Sequence, residues 1–279
     1  MAQNVLFIMS DEHQQKAAGC YGHPFVRTPA IDALAAGGTR FTNAYTNSPI
    51  CVPARASFAT GRAVHEIGNW DNAHPYDGRI KGWGHTLQQR GMKSLSIGKL
   101  HYRNETDPTG FDEQIVPLHV VDGVGSVSAS VKQPLGPPIK TSKLAANIGP
   151  GDSGYIRYDR SITEETCRWL KEEAPKHRDR PWMLFCSLVC PHFPLIAPPD
   201  FYAMYPHDML ETPKGSSLDY ELHPWIEKFR QVQCHDEFFT DETRKIAIAS
   251  YYALCSFMDS NVQKVLAALD ASGARDDTV

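Results

Sequence analysis

Apolar and polar positions along the chain alternate between short apolar runs and longer segments with a helical period. Short apolar runs that predict strands lie at 4–9, 94–97 and 182–189. Helical segments are predicted at 28–37, 53–60, 85–90, 159–174 and 241–271, most of them marked by a start or stop signal such as Pro in the first turn or Gly after the last. Since helices separate the first two strands, the order favours an α/β fold with a mostly parallel sheet sandwiched by helices.

Two long stretches lack such a period. Residues 103–158 are dominated by Gly, Pro and Ser, and residues 191–240 are rich in Pro and aromatic residues. Both predict irregular insertions that would shape a ligand pocket. After the last helix, a polar turn leads to Thr278 and Val279, which resemble the start of a further strand. We therefore expect residues 1–279 to be the N-terminal part of a longer domain.

The composition of the chain argues against several classes of function. The chain has 42% hydrophobic residues, 22% charged residues and a formal net charge of −4, so nothing in it predicts a nucleic-acid partner. The apolar run at 5–9 is too short for a signal peptide or a membrane span, and we expect no membrane association and a cytoplasmic location. The seven cysteines form no CxxC pair, which argues against a disulfide framework and a structural zinc site. The sequence does not indicate the oligomeric state, and it is compatible with a monomer or an oligomer.

Polar residues follow each of the three predicted strands. Asp11 follows the first strand and His192 follows the third. Lys99 and His101 follow the second, at a spacing that lets both face one side of an extended segment. Each residue alone is more often a cap, a turn former or a solvated side chain. Because ligands bind beyond the carboxyl ends of parallel strands, their coincidence on one rim predicts a functional site.

Cys51 precedes a predicted helix that has Pro53 near its start and Arg55 one turn in. The helix dipole and the guanidinium would both favour a thiolate. A cysteine-phosphatase loop needs a longer spacing between Cys and Arg, and a Cys-His protease needs a partner that the sequence does not assign. A reactive thiol, a metal ligand, a buried apolar side chain and the precursor of a modified residue all stay open on these residues alone.

The segment CVPARASFATGR resembles the signature of the type I sulfatases, Cys-x-Pro-x-Arg followed by a helix of small residues and Thr-Gly-Arg. The segments NVLFIMSDEH, GHTLQQRGMKSLSIGKLHY and PHFPLIAPPDFY are similar to further motifs of that family. The chain is thus identified as a member of the formylglycine-dependent sulfatases, within the alkaline-phosphatase-like superfamily. It looks most like choline-sulfatase and phosphonate-monoesterase members, because Glu12 follows Asp11. The resemblance implies that residues 1–279 are the N-terminal part of a single sulfatase catalytic domain.

The resemblance implies hydrolysis of a sulfate ester. In that family a formylglycine-generating enzyme converts the cysteine matching Cys51 to formylglycine, whose hydrate is a gem-diol. One hydroxyl of the diol attacks sulfur with the help of a divalent cation. Calcium is expected before manganese or magnesium, because hard oxygen ligands suit it. Loss of the second hydroxyl's proton then releases sulfate, a step that a serine could not perform.

By the same resemblance, Asp11 and the modified Cys51 would bind the cation, and Arg55 would orient the diol and balance its charge. Glu12 is expected to point away from Asp11, because side chains alternate along a strand. These expectations place one end of the site on the first strand and the other on the helix that begins near Cys51.

The resemblance also implies roles for residues that bind substrate or transfer protons. Lys99 would bind the sulfate oxygens, and His101 would take the proton from the diol. His192 would protonate or hydrogen-bond the leaving oxygen. Asn72 matches a position that lines the site in choline-sulfatase-like members. The partners implied are a small sulfated or phosphorylated substrate and the maturation enzyme.

Two alternatives remain beside sulfate ester hydrolysis. A phosphonate or phosphodiester hydrolase would use the same site, since both substrates present a tetrahedral anion. A catalytically incompetent fragment is the other, because the family's remaining metal ligands would lie beyond Val279. Choline sulfate is one candidate substrate, since aromatic residues of the two insertions could cage a quaternary ammonium, although loop packing is their commoner role. Those aromatic residues are Tyr155, Tyr158, Phe193, Phe201, Tyr202 and Tyr205.

Overall fold

The computed structural model describes residues 4–127, 134–135, 141–211, 213 and 221–279. The strands in this part of the chain are β1 (Val5–Met9), β2 (Lys93–Lys99), β3 (Glu113–Leu118), β4 (Ile148–Pro150), β5 (Trp182–Ser187) and β6 (Leu195–Ala197). The α-helices are α1 (Pro29–Gly37), α2 (Cys51–Thr60), α3 (Val64–Ile67), α4 (Trp83–Gln89), α5 (Ser142–Ala146), α6 (Gly154–Glu172), α7 (Pro199–Tyr202), α8 (Pro224–Gln233), α9 (His235–Phe238) and α10 (Asp241–Ala271). Single 3-10 turns lie at Gly19–Tyr21, Val121–Gly123, Ala174–His177, His207–Met209 and Arg275–Asp277.

The central sheet is parallel throughout and has the strand order β1-β5-β2-β3. Every residue of β5 is buried, as is every residue of β2 after Lys93. Strands buried on both faces are typical of parallel sheets covered by helices. A second, two-stranded parallel sheet joins β4 and β6.

Helices cover both faces of the central sheet. Leu184 and Cys186 of β5 belong to the core that α6 and α10 close on one side. Met183 and Phe185 point to the opposite side, where they pack with residues of α2 and α4. This alternation follows from the pleat of the strand. The predicted α/β fold, a parallel sheet sandwiched by helices, is confirmed.

Most predicted elements form where the pattern indicated. The strands expected at 4–9, 94–97 and 182–189 are β1, β2 and β5, and four of the five expected helices are α1, α2, α4 and α10. The helix expected at 159–174 begins earlier, at Gly154, because the Ser153 hydroxyl accepts a hydrogen bond from the Ile156 amide and caps it.

The two stretches expected to be irregular contain regular structure, and that part of the prediction is wrong. Residues 103–158 include β3, α5, β4 and the first turn of α6, and residues 191–240 include β6, α7, α8 and α9. The apolar run of strand β3 is short, covers 115–118 and includes Pro117, which suits its place at the end of the described strand order. Parts of both stretches, namely 128–133, 136–140, 212 and 214–220, lie outside the described residues.

The last two residues add to the sheet beside β1. Thr278 pairs with Asn4 in parallel, and the Leu6 amide donates to the Val279 carbonyl oxygen at 2.8 Å. The strand start expected at this point is therefore confirmed. That residues 1–279 are part of a longer single domain stays a prediction. No helix in the described residues has the length and apolar character needed to cross a bilayer.

Candidate active site

The carboxyl ends of β1, β2 and β5 meet at one rim of the sheet, where the N-terminus of α2 also lies. A cleft of about 670 Å³ opens there. Its lining includes most of the residues that the sequence singled out, namely Asp11, Cys51, Arg55, Asn72 and His192, together with Glu12. The location agrees with the rule that ligands bind beyond the carboxyl ends of parallel strands.

Arg55 connects α2 to three strand ends. Its Nη1 donates to the Lys99 carbonyl oxygen at 2.5 Å and to Ser187 Oγ at 3.0 Å, and its Nη2 donates to Asp11 Oδ2 at 3.2 Å. The guanidinium is almost fully buried. Helix α2 approaches the sheet closely because its inward residues are small, including Ala56 and Ala59. Arg55 therefore fixes the start of α2 relative to the ends of β1, β2 and β5.

Asp11 lies between two buried cations. Its Oδ2 is 2.5 Å from Lys99 Nζ and 3.2 Å from Arg55 Nη2. Burial disfavours the carboxylate, but the charges of Lys99 and then Arg55 outweigh it and lower the pKa of Asp11. Lys99 is only 1% exposed, and no described acceptor forms a well-aligned hydrogen bond with its ammonium. The centre of the site thus contains two buried cations and one buried carboxylate.

Cys51 is the first residue of α2, beside Asn72. The Cys51 Sγ lies 3.7 Å from Asn72 Oδ1, and the same oxygen accepts a hydrogen bond from the Val52 amide at 3.2 Å. Asn72 therefore satisfies one of the free amides at the helix N-terminus and holds its side chain against residue 51. Since Cys51 is partly exposed in the cleft, its side chain can be reached for modification or reaction.

His192 closes the cleft on the β5 side. Its Nδ1 lies 2.7 Å from the Phe193 carbonyl oxygen and can donate to it, while Nε2 lies 3.3 Å from Glu12 Oε1. The ring of Tyr155, from the first turn of α6, packs edge-on against the imidazole at 5.5 Å. The Nε2 atom therefore points toward Glu12, which also lines the cleft.

Glu12 faces the same cleft as Asp11, and the expectation that it points away is wrong. Strand β1 ends at Met9, and Glu12 has a φ of 60°, in the left-handed region, so the alternation of a strand no longer applies. Burial raises the pKa of Glu12, and the neighbouring His192 opposes that rise. The sequence carried no signal for this backbone conformation, because Glu is not a residue that favours it.

His101 stands apart from the direct contacts of the site. Its φ is 56° and its amide donates to the Leu118 carbonyl oxygen, so it leaves the line of β2. Burial, with the charges of Lys99 and Arg55, lowers the pKa of His101 to about 3. Its Nδ1 is buried and has no hydrogen-bond partner in the described part of the chain. His101 is therefore a neutral imidazole with an unused ring nitrogen near the two cations.

The donors for a metal ion are partly present. Asp11, Glu12 and Asn72 bring oxygen atoms to the cleft that holds Cys51, and hard cations such as calcium prefer oxygen ligands. Among the described residues, however, no group of three or more His, Cys, Asp or Glu side chains is placed to bind a metal ion. These residues fit part of a coordination sphere for a hard cation rather than a whole one.

Comparison with known proteins decides the family. The family model described as Sulfatase matches residues 3–279. The chain belongs to the sulfatase family. Its architecture is also the alkaline-phosphatase-like fold of solved sulfatase structures.

Relatives of this sulfatase chain include two curated enzymes. It is 26% identical to arylsulfatase K of Bos taurus, with 100% of this chain and 51% of that protein aligned. It is 27% identical to choline-sulfatase of Rhizobium meliloti, with 99% of this chain and 56% of that protein aligned. The sulfatase chain thus spans about half the length of the curated relatives it matches.

A solved structure shares the fold. The phosphonate monoester hydrolase of Agrobacterium radiobacter superposes with a TM-score of 0.74 at 21% identity, covering 99% of this sulfatase chain and 61% of that chain. At this identity the similarity establishes the fold alone. Both kinds of relative that the sequence motifs indicated, choline-sulfatase and phosphonate monoester hydrolase, are therefore found.

The aromatic residues that the sequence offered for a quaternary-ammonium cage do not all lie together in the structure. Tyr155 and Phe193 both pack against His192. Tyr205 is in the core, where its hydroxyl contacts Ser256, and the Tyr158 hydroxyl donates to the Val116 carbonyl oxygen. A six-residue cage is not formed, and the other members serve packing.

Proposed function

We propose that this sulfatase chain contributes the nucleophile and the anion-binding residues of a sulfuric ester hydrolase. One observation carries the proposal: two buried cations, Lys99 and Arg55, surround a single buried carboxylate, Asp11, at the rim where Cys51 opens helix α2. The local excess of positive charge, together with the helix N-terminus, suits a sulfate group.

Residue 51 would act after conversion to formylglycine by a maturation enzyme. The aldehyde adds water to give a gem-diol, and one diol oxygen attacks the sulfur of the ester. The sulfur–oxygen bond to the alcohol breaks, and the alcohol oxygen leaves with the bonding pair and takes up a proton. The second hydroxyl then loses its proton, the carbon–oxygen bond to sulfate breaks, and the aldehyde returns.

Asp11 and the modified residue 51 are the proposed ligands that this chain offers to a divalent cation, calcium before manganese or magnesium, which would supply positive charge next to the reacting oxygens. Asn72 would keep residue 51 at the end of α2 through its contact with Sγ and with the Val52 amide. Arg55 would hold Asp11 in place through Oδ2.

Two histidines are proposed for the proton transfers. His101 is neutral and its Nδ1 has no hydrogen-bond partner among the described residues, so it can accept a hydrogen bond or a proton from the diol. An anionic substrate beside Lys99 and Arg55 would raise the pKa of His101 toward a useful value. His192 would hydrogen-bond the leaving oxygen through Nε2, since its Nδ1 is directed at the Phe193 carbonyl oxygen.

The proposal is tested by the mass of the tryptic peptide Phe41–Arg55, from protein made in a host that has the maturation enzyme. We expect the mass of the aldehyde or its hydrate at residue 51, and turnover of sulfate esters by the same preparation. The Cys51→Ser variant serves as the control and should show neither. An unmodified thiol throughout, with full turnover, would reject the formylglycine mechanism.

A phosphonate or phosphodiester hydrolase is the second candidate, favoured by the fold shared with a phosphonate monoester hydrolase. Sulfate and phosphonate esters with the same leaving group should be compared on one preparation. A higher kcat/KM for the sulfate ester supports the first proposal, and the reverse order supports the second. A third reading, that residues 1–279 alone are not competent, predicts no turnover of either ester until further chain is present.

A further inference from the structure

We propose that Asp159 of α6 is the positioning residue that holds His192 in the cleft. The inference rests on the proposed function, in which His192 contacts the leaving oxygen. Asp159 itself lies in the core and touches neither the cleft nor Cys51. It would act only through the loop that carries His192.

The contacts of Asp159 are directed at that loop. Its Oδ1 accepts a hydrogen bond from the Val189 amide at 2.7 Å, and its Oδ2 accepts one from the Cys190 amide at 2.8 Å. The His192 amide in turn donates to the Val189 carbonyl oxygen at 3.1 Å and closes a turn. One side chain thus fixes two successive peptide groups just before the turn that presents the imidazole.

A carboxylate at this place needs an explanation. Asp159 is 0% exposed, and burying a charged group costs free energy unless hydrogen bonds compensate for lost water. An apolar residue would fill the same space at no such cost. Only a carboxylate offers two equivalent acceptors to two adjacent amides, because an amide side chain would direct its NH₂ group at one of them. We therefore attribute the presence of a carboxylate at position 159 to the conformation that it imposes on the loop before His192.

Helix α6 contacts the His192 turn at a second point. Tyr155 lies one turn before Asp159 on the helix, and its ring packs edge-on against the imidazole with an interplanar angle of 87°. Asp159 fixes the backbone on one side of His192, and Tyr155 restricts the ring. Residues i and i+4 share a helix face, so both contacts follow from one placement of α6.

The chain offers a matched control in Asp259 of α10. It is 1% exposed, and its two carboxylate oxygens accept hydrogen bonds from the successive amides of Ala30 and Ile31 at 3.0 and 2.9 Å. These amides belong to the first turn of α1, away from the His192 loop. Asp159→Asn and Asp259→Asn therefore make the same chemical change at equally buried sites, and only the first lies next to the His192 turn.

The first measurement is the rate at which diethyl pyrocarbonate modifies His192 in the folded, complete protein that carries this chain, followed by peptide mass spectrometry. The exposed His74 serves as the internal reference. We expect the Asp159→Asn variant to raise the His192 rate about 10-fold and the Asp259→Asn variant to leave it within about 2-fold. Equal rates in both variants would overturn the proposal, whether or not the enzyme hydrolyses sulfate esters.

The second measurement is kinetic and uses one aryl and one alkyl sulfate ester. A displaced His192 should lower kcat roughly 10- to 100-fold for the alkyl ester, with little change in KM, and lower it less for the aryl ester, whose leaving oxygen needs less help. If Asp159→Asn lowers kcat equally for both esters, or if Asp259→Asn lowers it in the same way, Asp159 has a structural role only. If the parent enzyme hydrolyses neither ester, the proposed function fails and the modification rates alone decide this inference.

Should Asp159→Asn fail to fold, Asp159→Glu is the informative variant. It keeps both acceptors and moves them by one methylene, so His192 modification should rise while the fold is retained. An Asp159→Glu protein that is folded and shows the parental His192 rate and ester preference would overturn the proposal.

Discussion

A single buried side chain sets the geometry of the rim. Arg55 donates to the backbone of Lys99, to Ser187 and to Asp11, and thereby joins the ends of three strands to the helix that begins with Cys51. Arg rather than Lys suits this role, because the planar guanidinium donates in several fixed directions at once. The Lys99 ammonium, by contrast, contacts only Asp11 among these groups and keeps donors for a ligand.

That difference leads to a prediction for Lys99. Lys99→Met keeps most of the length of the side chain and removes its charge, so an oxygen of the bound sulfate loses a buried cation. We expect kcat/KM for a sulfate ester to fall roughly 10²- to 10³-fold, the loss typical of removing one preorganised donor. Steady-state kinetics on the matured protein provide the measurement. Lys93→Met, at the other end of β2 and paired with Glu113, should stay near the parental value.

At the scale of elements, the predictable parts of the chain are those whose pattern is local. Apolar runs and helix signals located β1, β2 and β5 and five of the ten α-helices described, namely α1, α2, α4, α6 and α10, and the polar residues at strand ends located the rim. Strand β3 was missed because its short apolar run contains Pro117 and follows the charged residues Asp112 and Glu113. The pairing of this strand is set by β2 rather than by its own sequence. The direction of Glu12 depends on one backbone angle that no periodicity reveals.

The contact between β2 and β5 depends on Gly98. Its φ is 103°, and a Cβ at this position would collide with the Ser187 carbonyl oxygen and lie 2.7 Å from Ile162 Cδ1. We expect Gly98→Ala to lower the free energy of unfolding by about 3 kcal/mol or more, from backbone strain and overpacking together. Gly91→Ala, also at positive φ but with no described atom within 4 Å of the new Cβ, should cost only about 1 kcal/mol. Urea unfolding of both variants compares the two; equal losses would mean that β2 and β5 can move apart.

The anchoring of α6 predicts a pH dependence. Burial raises the pKa of Asp159 to about 6, against the opposing effects of the Val189 and Cys190 amides and of the Lys99 charge. An unfolded chain would titrate this residue near 3.8. The folded protein therefore holds the proton more tightly, so the contribution of Asp159 to stability is complete only well below pH 3.8 and falls by about 3 kcal/mol in total as the pH rises through about 6.

The Asp159→Asn variant has no carboxyl group to titrate at this position. The difference in free energy of unfolding between parent and variant therefore reports the titration of Asp159 alone, because all other carboxyl groups are common to both proteins. In urea unfolding, the free energy lost on substitution should be about 2 kcal/mol larger at pH 4 than at pH 7. An identical loss at both values would show that the two amide hydrogen bonds hold Asp159 ionised throughout. Burial also raises the pKa of Asp259, so Asp259→Asn should show a pH dependence in the same direction.

At the scale of the whole molecule, the net charge of the chain and the charge of the buried groups at the rim differ in sign. The chain carries a formal net charge of −4, whereas two buried cations face one buried carboxylate at the rim. Long-range attraction of an anionic ester by the overall field is therefore weak, and binding must come from the local groups. Large apolar side chains, Tyr45, Ile50 and Phe193, stand exposed beside the cleft and offer contact area to the rest of a substrate.

The partial set of oxygen ligands gives the last prediction, on metal binding by the complete protein. If Asp11 binds a divalent cation, removing the ion with a chelator should lower the melting temperature, and calcium should restore it. Ligand linkage gives about 2.7 kcal/mol of stabilisation when free calcium is 100 times the dissociation constant. Asp11→Asn should abolish this calcium-dependent increment, whatever its own effect on baseline stability. Asp77→Asn, a buried carboxylate paired with Arg79 outside the cleft, should keep the increment. A calcium increment that survives in Asp11→Asn would place the ion elsewhere, and this rim would then bind the sulfate group through Lys99 and Arg55 alone.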